Sequence, residues 1–371
     1  MAKPTIGLLC DLPENSGIGK YGKNLQRLLK NEFDIEIVYF NYEERSLEAV
    51  RGKERRTLAQ TYRFPLLDNK PWFWQRVKNH IPRYDLTHII SQNLSFLVPS
   101  DGNALVTCHD IAPLFIPSRP WERWGRKRLY SGLQKAKTIL TDSESTRQDL
   151  IGTYRLASEK LQVIPLGVDR KVFHPIDRNE CRTRMGFPLD SRIILNVSID
   201  KWRKNVSGLV KAVALLIKEF PNILLILVGK PTAATSSLIR TLGLDHNVQP
   251  RGATTEEDLA ILYNVADVLA FPSFYEGFGL PVLEAMACGI PVVASNRTSV
   301  PEIVGDAGIL LDPEEVLGLA EAIKRVLTEP NFANDLLSRG LDRAKRFSWE
   351  KTARATASVY AKILYHGQSK S

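Results

Sequence analysis

Two doubly wound α/β domains are what this sequence predicts, on three observations. Strand-like and helix-like segments alternate through both halves. The 371 residues suffice for two hydrophobic cores. A stretch at 167–190 mixing Gly, Pro and charge separates the two series and reads as an interdomain linker. The expected division is 1–170 plus a C-terminal helix over 350–366, and 171–349.

The first domain opens on Thr5-Ile6-Gly7-Leu8-Leu9-Cys10, an apolar strand. Ser16-Gly17-Ile18-Gly19 then starts a helix with Leu25, Leu28 and Leu29 on one side. Ile35 to Phe40 is the second strand. Residues 41–70 are charged and poorly periodic, which predicts a long variable loop or excursion. Leu86–Ile90, Ala104–Cys108, Thr138–Thr141 and Leu161–Ile164 read as short strands. Helices are expected near 120–136 and 143–154, the latter behind a cap at Asp142 or Ser143.

The alternation restarts with a strand over Ile193–Val197 and a helix over 205–219. Ile223-Leu224-Leu225-Ile226-Leu227-Val228 is a fully apolar strand, followed by helices at 233–242 and 255–266. Strands at Val268–Phe271 and Pro291–Ala294 flank a helix at 280–288, and another helix covers 313–328. Thr254 and Glu257 have the spacing of a capping box. Phe347-Ser348-Trp349 precedes a last helix reaching about His366. In such sheets ligands bind at the carboxyl ends of strands, so the default site is the cleft between the halves.

Composition narrows the function class. Hydrophobic residues make up 44% and charged residues 25%, the balance of an ordinary globular protein. No run approaches the 18 apolar residues of a spanning helix. The N-terminal apolar stretch is too short for a signal peptide, and Cys10, Cys108, Cys181 and Cys288 form no CxxC pair. A cytoplasmic protein is expected, at most peripheral on a membrane face.

The net charge of +9 is uneven: residues 1–175 hold 27 basic and 19 acidic residues, residues 176–371 hold 23 and 22. Arg51, Lys53, Arg55 and Arg56 form one basic cluster; Arg119, Arg123, Arg126, Lys127 and Arg128 form another. Trp72, Phe73, Trp74, Trp121 and Trp124 interleave. Three readings compete: solvated faces, contact with an anionic membrane or lipid-linked phosphate, and nucleic acid. No helix-turn-helix, finger or RNA-binding signature accompanies the charge, so no nucleic-acid partner is expected.

The most specific segment runs from Phe271 to Ser295. A strand enters Glu276-Gly277-Phe278-Gly279, and that loop enters a helix at Leu280-Pro281, where proline suits the first turn. The N–H groups of Gly277, Phe278, Gly279 and Leu280 would face a dipole-positive helix start, an anion cradle suited to a diphosphate. Glu276 and Glu284 are acceptor-only groups beside it, fit for ribose and hexose hydroxyls; the plainer alternative is a capping Glu and a helix Glu in an ion pair. Arg203 and Lys204 follow a strand's carboxyl end and read either as an exposed basic turn or as two cations for a leaving diphosphate. His109 follows an apolar strand, and such a histidine is structural or functional.

Together these pieces resemble glycosyltransferase family 4, the retaining, nucleotide-sugar-dependent transferases of GT-B fold. The family's E-x7-E motif stands as Glu276 to Glu284, and the resemblance covers nearly the whole chain. Ser16-Gly17-Ile18-Gly19-Lys20-Tyr21 is similar to its first glycine loop and Cys108-His109-Asp110 to its strand-end histidine. Trp202-Arg203-Lys204-Asn205 is similar to its Arg-Lys pair, and Phe347-Ser348-Trp349 to the entry of its final crossover helix. One departure exists: some members carry another Arg six positions before the Lys, where this chain has Ser198.

The resemblance implies a hexosyl transfer from a nucleoside diphosphate sugar to a hydroxyl of a glycan or lipid-linked acceptor. Glu284 would hold ribose, Glu276 the sugar, and Arg203, Lys204 and the 277–280 amides the diphosphate. Gly17, Gly19 and His109 would lie on the acceptor side, His109 beside the reacting carbon. The loops are most like those of bacterial mannosyltransferases of polysaccharide assembly, which puts GDP-mannose first and UDP- or dTDP-sugars behind. No Asp-x-Asp, HExxH or Cys/His cluster is present, so no essential metal or other cofactor is expected. Two rival classes stay open: an epimerase or hydrolase of the same fold, and a non-catalytic membrane- or nucleic-acid-binding protein.

Overall fold

The computed structural model describes residues 2–61, 70–99, 104–116, 119–252 and 254–366. It divides into two compact units, Met1–Gly167 with Trp349–Ser371, and Val168–Ser348.

The first unit is built on β1 (Thr5–Cys10), α1 (Gly17–Leu29), β2 (Asp34–Asn41), β3 (Ser46–Arg51), β4 (Glu54–Gln60), α2 (Lys70–Val77), β5 (Leu86–Ile89), β6 (Leu105–Cys108), α3 (Pro120–Leu129), β7 (Thr138–Thr141), α4 (Glu144–Tyr154) and β8 (Leu161–Val163). The sheet order is β4-β3-β2-β1-β5-β6-β7-β8. β1 pairs in parallel with β2 on one side and β5 on the other, so the winding direction reverses there. Ser16 caps α1, its Oγ accepting from the Gly19 N–H at 3.0 Å. Ser143, not Asp142, caps α4 through the Thr146 N–H.

The long loop expected at 41–70 is corrected. β3 and β4 form an antiparallel extension on β2. Their charges masked the strand pattern because acids on neighbouring strands neutralise them: Arg55 meets Glu48 at 2.6 Å, Arg56 meets Glu36 at 2.9 Å, and Arg51 meets Asp34 at 3.0 Å. Residues 62–69 of that stretch lie outside the described residues, as do the side chains of Trp72, Trp121, Arg123 and Arg128 in the basic-aromatic clusters.

The second unit comprises α5 (Arg178–Met185), β9 (Arg192–Val197), α6 (Val206–Leu216), β10 (Ile223–Val228), α7 (Ala233–Thr241), β11 (Val248–Arg251), α8 (Glu256–Val265), β12 (Val268–Phe271), α9 (Leu280–Ala287), β13 (Val292–Ser295), α10 (Val300–Val304), β14 (Ile309–Leu311), α11 (Val316–Thr328) and α12 (Pro330–Ala344). All six strands run parallel in the order β11-β10-β9-β12-β13-β14. β9 lies between β10 and β12, so the winding reverses between β9 and β12. Apolar runs such as Ile193-Ile194-Leu195 and Leu225-Ile226 are fully buried, as parallel strands covered on both faces require.

A second correction concerns 167–190. That stretch contains α5 and belongs to the second unit from Val168 onward. Buried Arg182 fastens it, donating to the carbonyls of Val265, Leu189 and Ser191 and meeting Asp267 at 2.9 Å. The α8 cap is Thr255 with the Asp258 N–H, one residue beyond the expected Thr254–Glu257 box.

The chain closes with α13 (Trp349–His366), which returns to the first unit and contacts α1. Tyr360 reaches buried His88 at 2.7 Å, and the Thr352 hydroxyl donates to the Pro165 carbonyl at 2.7 Å. Among the described residues no helix is long and apolar enough to cross a membrane.

Candidate active site

The reversal between β9 and β12 brings two loops together at strand carboxyl ends, the position where doubly wound sheets bind ligands. The loop after β9 carries Arg203 and Lys204 in a single 3-10 turn. The loop after β12 carries Glu276 and the glycines. The Phe274 N–H donates to the Arg203 carbonyl at 2.8 Å, tying the loops backbone to backbone.

The side chains then converge. Arg203 Nη1 lies 3.1 Å from Glu276 Oε2 and 3.2 Å from the Tyr275 carbonyl, and Lys204 Nζ lies 2.5 Å from Glu276 Oε1. Glu276 is buried, Arg203 and Lys204 mostly so. One carboxylate thus faces two cations, leaving a net positive cluster, and each carboxylate oxygen keeps a further lone pair for a hydroxyl donor. Ser198, at the departure from the family pattern, contributes no charge; its hydroxyl donates to Asn196 at 2.7 Å.

Gly279 stands before α9 with φ of +112°, a conformation that favours glycine, and Pro281 follows in the first turn. Among the described residues the N–H groups of Phe278, Gly279 and Leu280 make no backbone hydrogen bond. They head the dipole-positive end of α9, as the anion cradle requires. The loop is clamped from behind by residues that sequence reasoning missed. Thr298, itself at φ +57°, accepts from the Glu276 N–H at 3.0 Å. The Ser299 hydroxyl reaches the carbonyls of Glu276 and Phe278 at 3.0 and 2.9 Å. Asn205, left-handed at φ +50°, fixes the Arg-Lys turn by capping Gly208 and donating to the Pro313 carbonyl at 2.6 Å. Its signal was legible: Asn tolerates that conformation and caps helices.

Glu284 lies about one turn into α9. It is buried and accepts from the fully buried Tyr263 hydroxyl at 2.7 Å. Burial, then the charge of Glu284, pushes the Tyr263 phenol far up, so it stays a donor. Nothing in the sequence singled out Tyr263.

In the first unit, His109 follows β6 and is buried. Nδ1 lies 2.6 Å from Asp142, and Nε2 lies 3.0 Å from the Ile90 carbonyl. A carbonyl only accepts, so Nε2 carries a proton; Nδ1 faces a carboxylate. Burial opposes the charge, but Asp142 outweighs it and raises the His109 pKa. Both ring nitrogens are therefore occupied, and His109 cannot serve as a base in this arrangement. Tyr21 stands edge-on to it at 5.3 Å. Gly17 is exposed at the start of α1. Gly19 is buried, and a Cβ there would meet the Pro13 carbonyl oxygen at 2.3 Å. Among the described residues no group of three or more His, Cys, Asp or Glu side chains is placed to hold a metal ion.

Residues 177–343 match the family described as Glycosyl transferases group 1, and residues 15–172 match Glycosyltransferase Family 4. The chain is 30% identical over 381 residues to O-antigen chain mannosyltransferase B of Escherichia coli, covering 93% of this chain and 96% of that one. It superposes on sucrose-phosphate synthase from Thermosynechococcus elongatus with a TM-score of 0.81 at 23% identity, over 97% and 99% of the two chains. The Anabaena HepE structure in complex with UDP and glucose gives 0.75 at 18% identity, over 97% and 100%.

Proposed function

The chain belongs to glycosyltransferase family 4, and on that premise we propose that it moves mannose from GDP-mannose to a hydroxyl of a glycan or lipid-linked acceptor, with retention at the anomeric carbon. Its architecture is the GT-B pair of doubly wound sheets. The observation that carries the proposal is the Arg203–Lys204–Glu276 cluster beside the start of α9.

The diphosphate is bound by Arg203, Lys204 and the amides that open α9, which neutralise charge as it builds on the leaving group. Glu276 keeps the two cations oriented and accepts from hexose hydroxyls through its remaining lone pairs; Glu284, held by Tyr263, accepts from ribose. The bond from C1 to the diphosphate oxygen breaks as C1 bonds to the acceptor oxygen on the same face, and the acceptor proton passes to the leaving phosphate. Glu276, with each oxygen against a cation, is a poor nucleophile, which supports this route over a covalent glycosyl-enzyme. Arg203 and Lys204 fill the charge-neutralising role, so no metal is required. Gly17, Gly19 and His109 stand on the acceptor side: Gly19 lets the loop after β1 close tightly, and His109 fixes the loops after β5 and β7.

The mannosyltransferase relative supports mannose. On α3 and just before it, exposed Trp124 and Phe115 beside Arg126 and Lys127 support peripheral contact with anionic lipid, which flotation with phosphatidylglycerol vesicles tests. For the reaction, GDP-mannose, UDP-glucose and dTDP-glucose are offered with α-mannoside acceptors, and the product anomer is read by NMR. Retained α-mannosyl transfer supports the proposal. An inverted product, or turnover only without acceptor, overturns it.

A further inference from the structure

A cavity of about 490 Å³ opens in the first unit at the carboxyl ends of β1 and β2, beside the loop that enters α1. Its walls come from the loop after β1, the β2–β3 turn, and facing residues of α1, β3 and β4. The volume suits one to a few sugar rings. Its charge runs against the basic balance of this half of the chain: Asp11, Glu14, Glu43, Glu44 and Glu48 line it, with only Lys23 and Arg55 opposing.

Both cations are committed. Lys23 meets Glu14 at 2.7 Å; Arg55 meets Glu48 at 2.6 Å and also contacts Glu14. Exposed Glu43 and Glu44 make no ion pair among the described residues. The independent mark of a ligand is Tyr39. Tyr39 lines the cavity and is 5% exposed, yet among the described residues its hydroxyl has no hydrogen-bond partner. Buried hydroxyls without a partner are rare, because each forfeits its hydration on burial.

We propose that this cavity is a saccharide subsite that takes a neutral, hydroxyl-rich ring and rejects an anionic one. Carboxylates accept from sugar hydroxyls, the Tyr39 hydroxyl donates to or accepts from one, and Tyr42 and Phe40 offer apolar wall. A phosphate or uronate would meet an acidic lining whose cations are already paired. On the transfer reading, the occupant is the saccharide end of the acceptor and not its phosphate end; only that assignment rests on the reading.

The test uses the full chain and saturation-transfer NMR with titration. Probes are methyl α-mannoside, an α-linked mannotriose, and mannose 6-phosphate. Variants are Tyr39→Phe, which removes only the orphan oxygen, and Glu43→Gln with Glu44→Gln at exposed positions. The neutral probes should bind wild type, mannose 6-phosphate at least tenfold more weakly than methyl α-mannoside. Each variant should weaken mannotriose at least fivefold, with no loss of melting temperature in Tyr39→Phe. Unchanged affinity in both variants, equal binding of the phosphorylated sugar, or no binding of neutral sugar overturns the proposal. Acceptor-dependent turnover of nucleotide sugar is measured in parallel. Its absence together with intact, variant-sensitive sugar binding overturns the transfer reading and supports the subsite.

Discussion

Replacing Lys204 by Ala removes one of the two cations that meet Glu276. Unit charges about 4 Å apart interact by ~4 kcal/mol at the effective dielectric of about 20 that suits a partly exposed site. Glu276, 2.5 Å from Nζ, opposes the attraction of Lys204 for a diphosphate, so only part of that is realised. We expect a loss of about 1.4–3 kcal/mol in transition-state stabilisation, or roughly tenfold to 150-fold in kcat/KM. The ground state already carries the diphosphate charge and the transition state carries more of it. KM for the donor should therefore rise while kcat falls. Initial rates of nucleotide release against donor concentration measure both. Exposed Lys201, three residues earlier, is the control, and Lys201→Ala should stay within about twofold. Wild-type kcat/KM in Lys204→Ala, or an equal loss in Lys201→Ala, would remove Lys204 from the diphosphate site.

Glu276→Gln should cost at least tenfold in kcat/KM, about 1.4 kcal/mol, because two cations then face each other without their carboxylate; a wild-type rate would remove Glu276 from the site. Gly19→Ala should destabilise the first unit by about 1–3 kcal/mol, since the Cβ meets backbone and not a movable side chain, and thermal melting reads it. Stability of the first unit should peak near pH 6.5. His88, neutral and held to a pKa of about 3 first by burial and then by His109, loses up to ~1.4 kcal/mol per pH unit as pH falls from about 6.5 toward 3. His109, raised by Asp142, stabilises fully below pH about 6.5 and progressively less as pH rises through its folded value. Denaturant unfolding between pH 5 and 8 checks this, and a flat profile contradicts it. Excess EDTA should leave the transfer rate unchanged; restoration of a lost rate by Mg²⁺ or Mn²⁺ would contradict a charge-neutralising role for Arg203 and Lys204 alone.

What could be read from residues alone follows from what periodicity records. Thr138–Thr141, Ile223–Val228 and Val268–Phe271 emerge with their bounds because buried parallel strands are unbroken apolar runs. β4 escaped because its first four residues are exposed and it carries Arg55 and Arg56, whose partners lie on other strands. α5 hid inside an apparent linker because its anchor is a buried arginine reaching Asp267, a contact 85 positions away. The site divides likewise. The glycine–proline helix start is a local device, visible as Gly279-Leu280-Pro281. The convergence of Arg203 and Lys204 on Glu276 depends on strand order, which no local pattern states. Thr298, Ser299 and Tyr263 act through single hydroxyls with no neighbouring pattern to mark them. Asp142 looked like a helix cap and is instead the partner of His109.

The most direct test is a crystal structure of the full chain with a nucleoside diphosphate. Phosphate oxygens should lie about 3 Å from the Arg203 guanidinium, the Lys204 ammonium and the amides that open α9. A nucleotide bound elsewhere, with Arg203 and Lys204 still facing only Glu276, would contradict this placement.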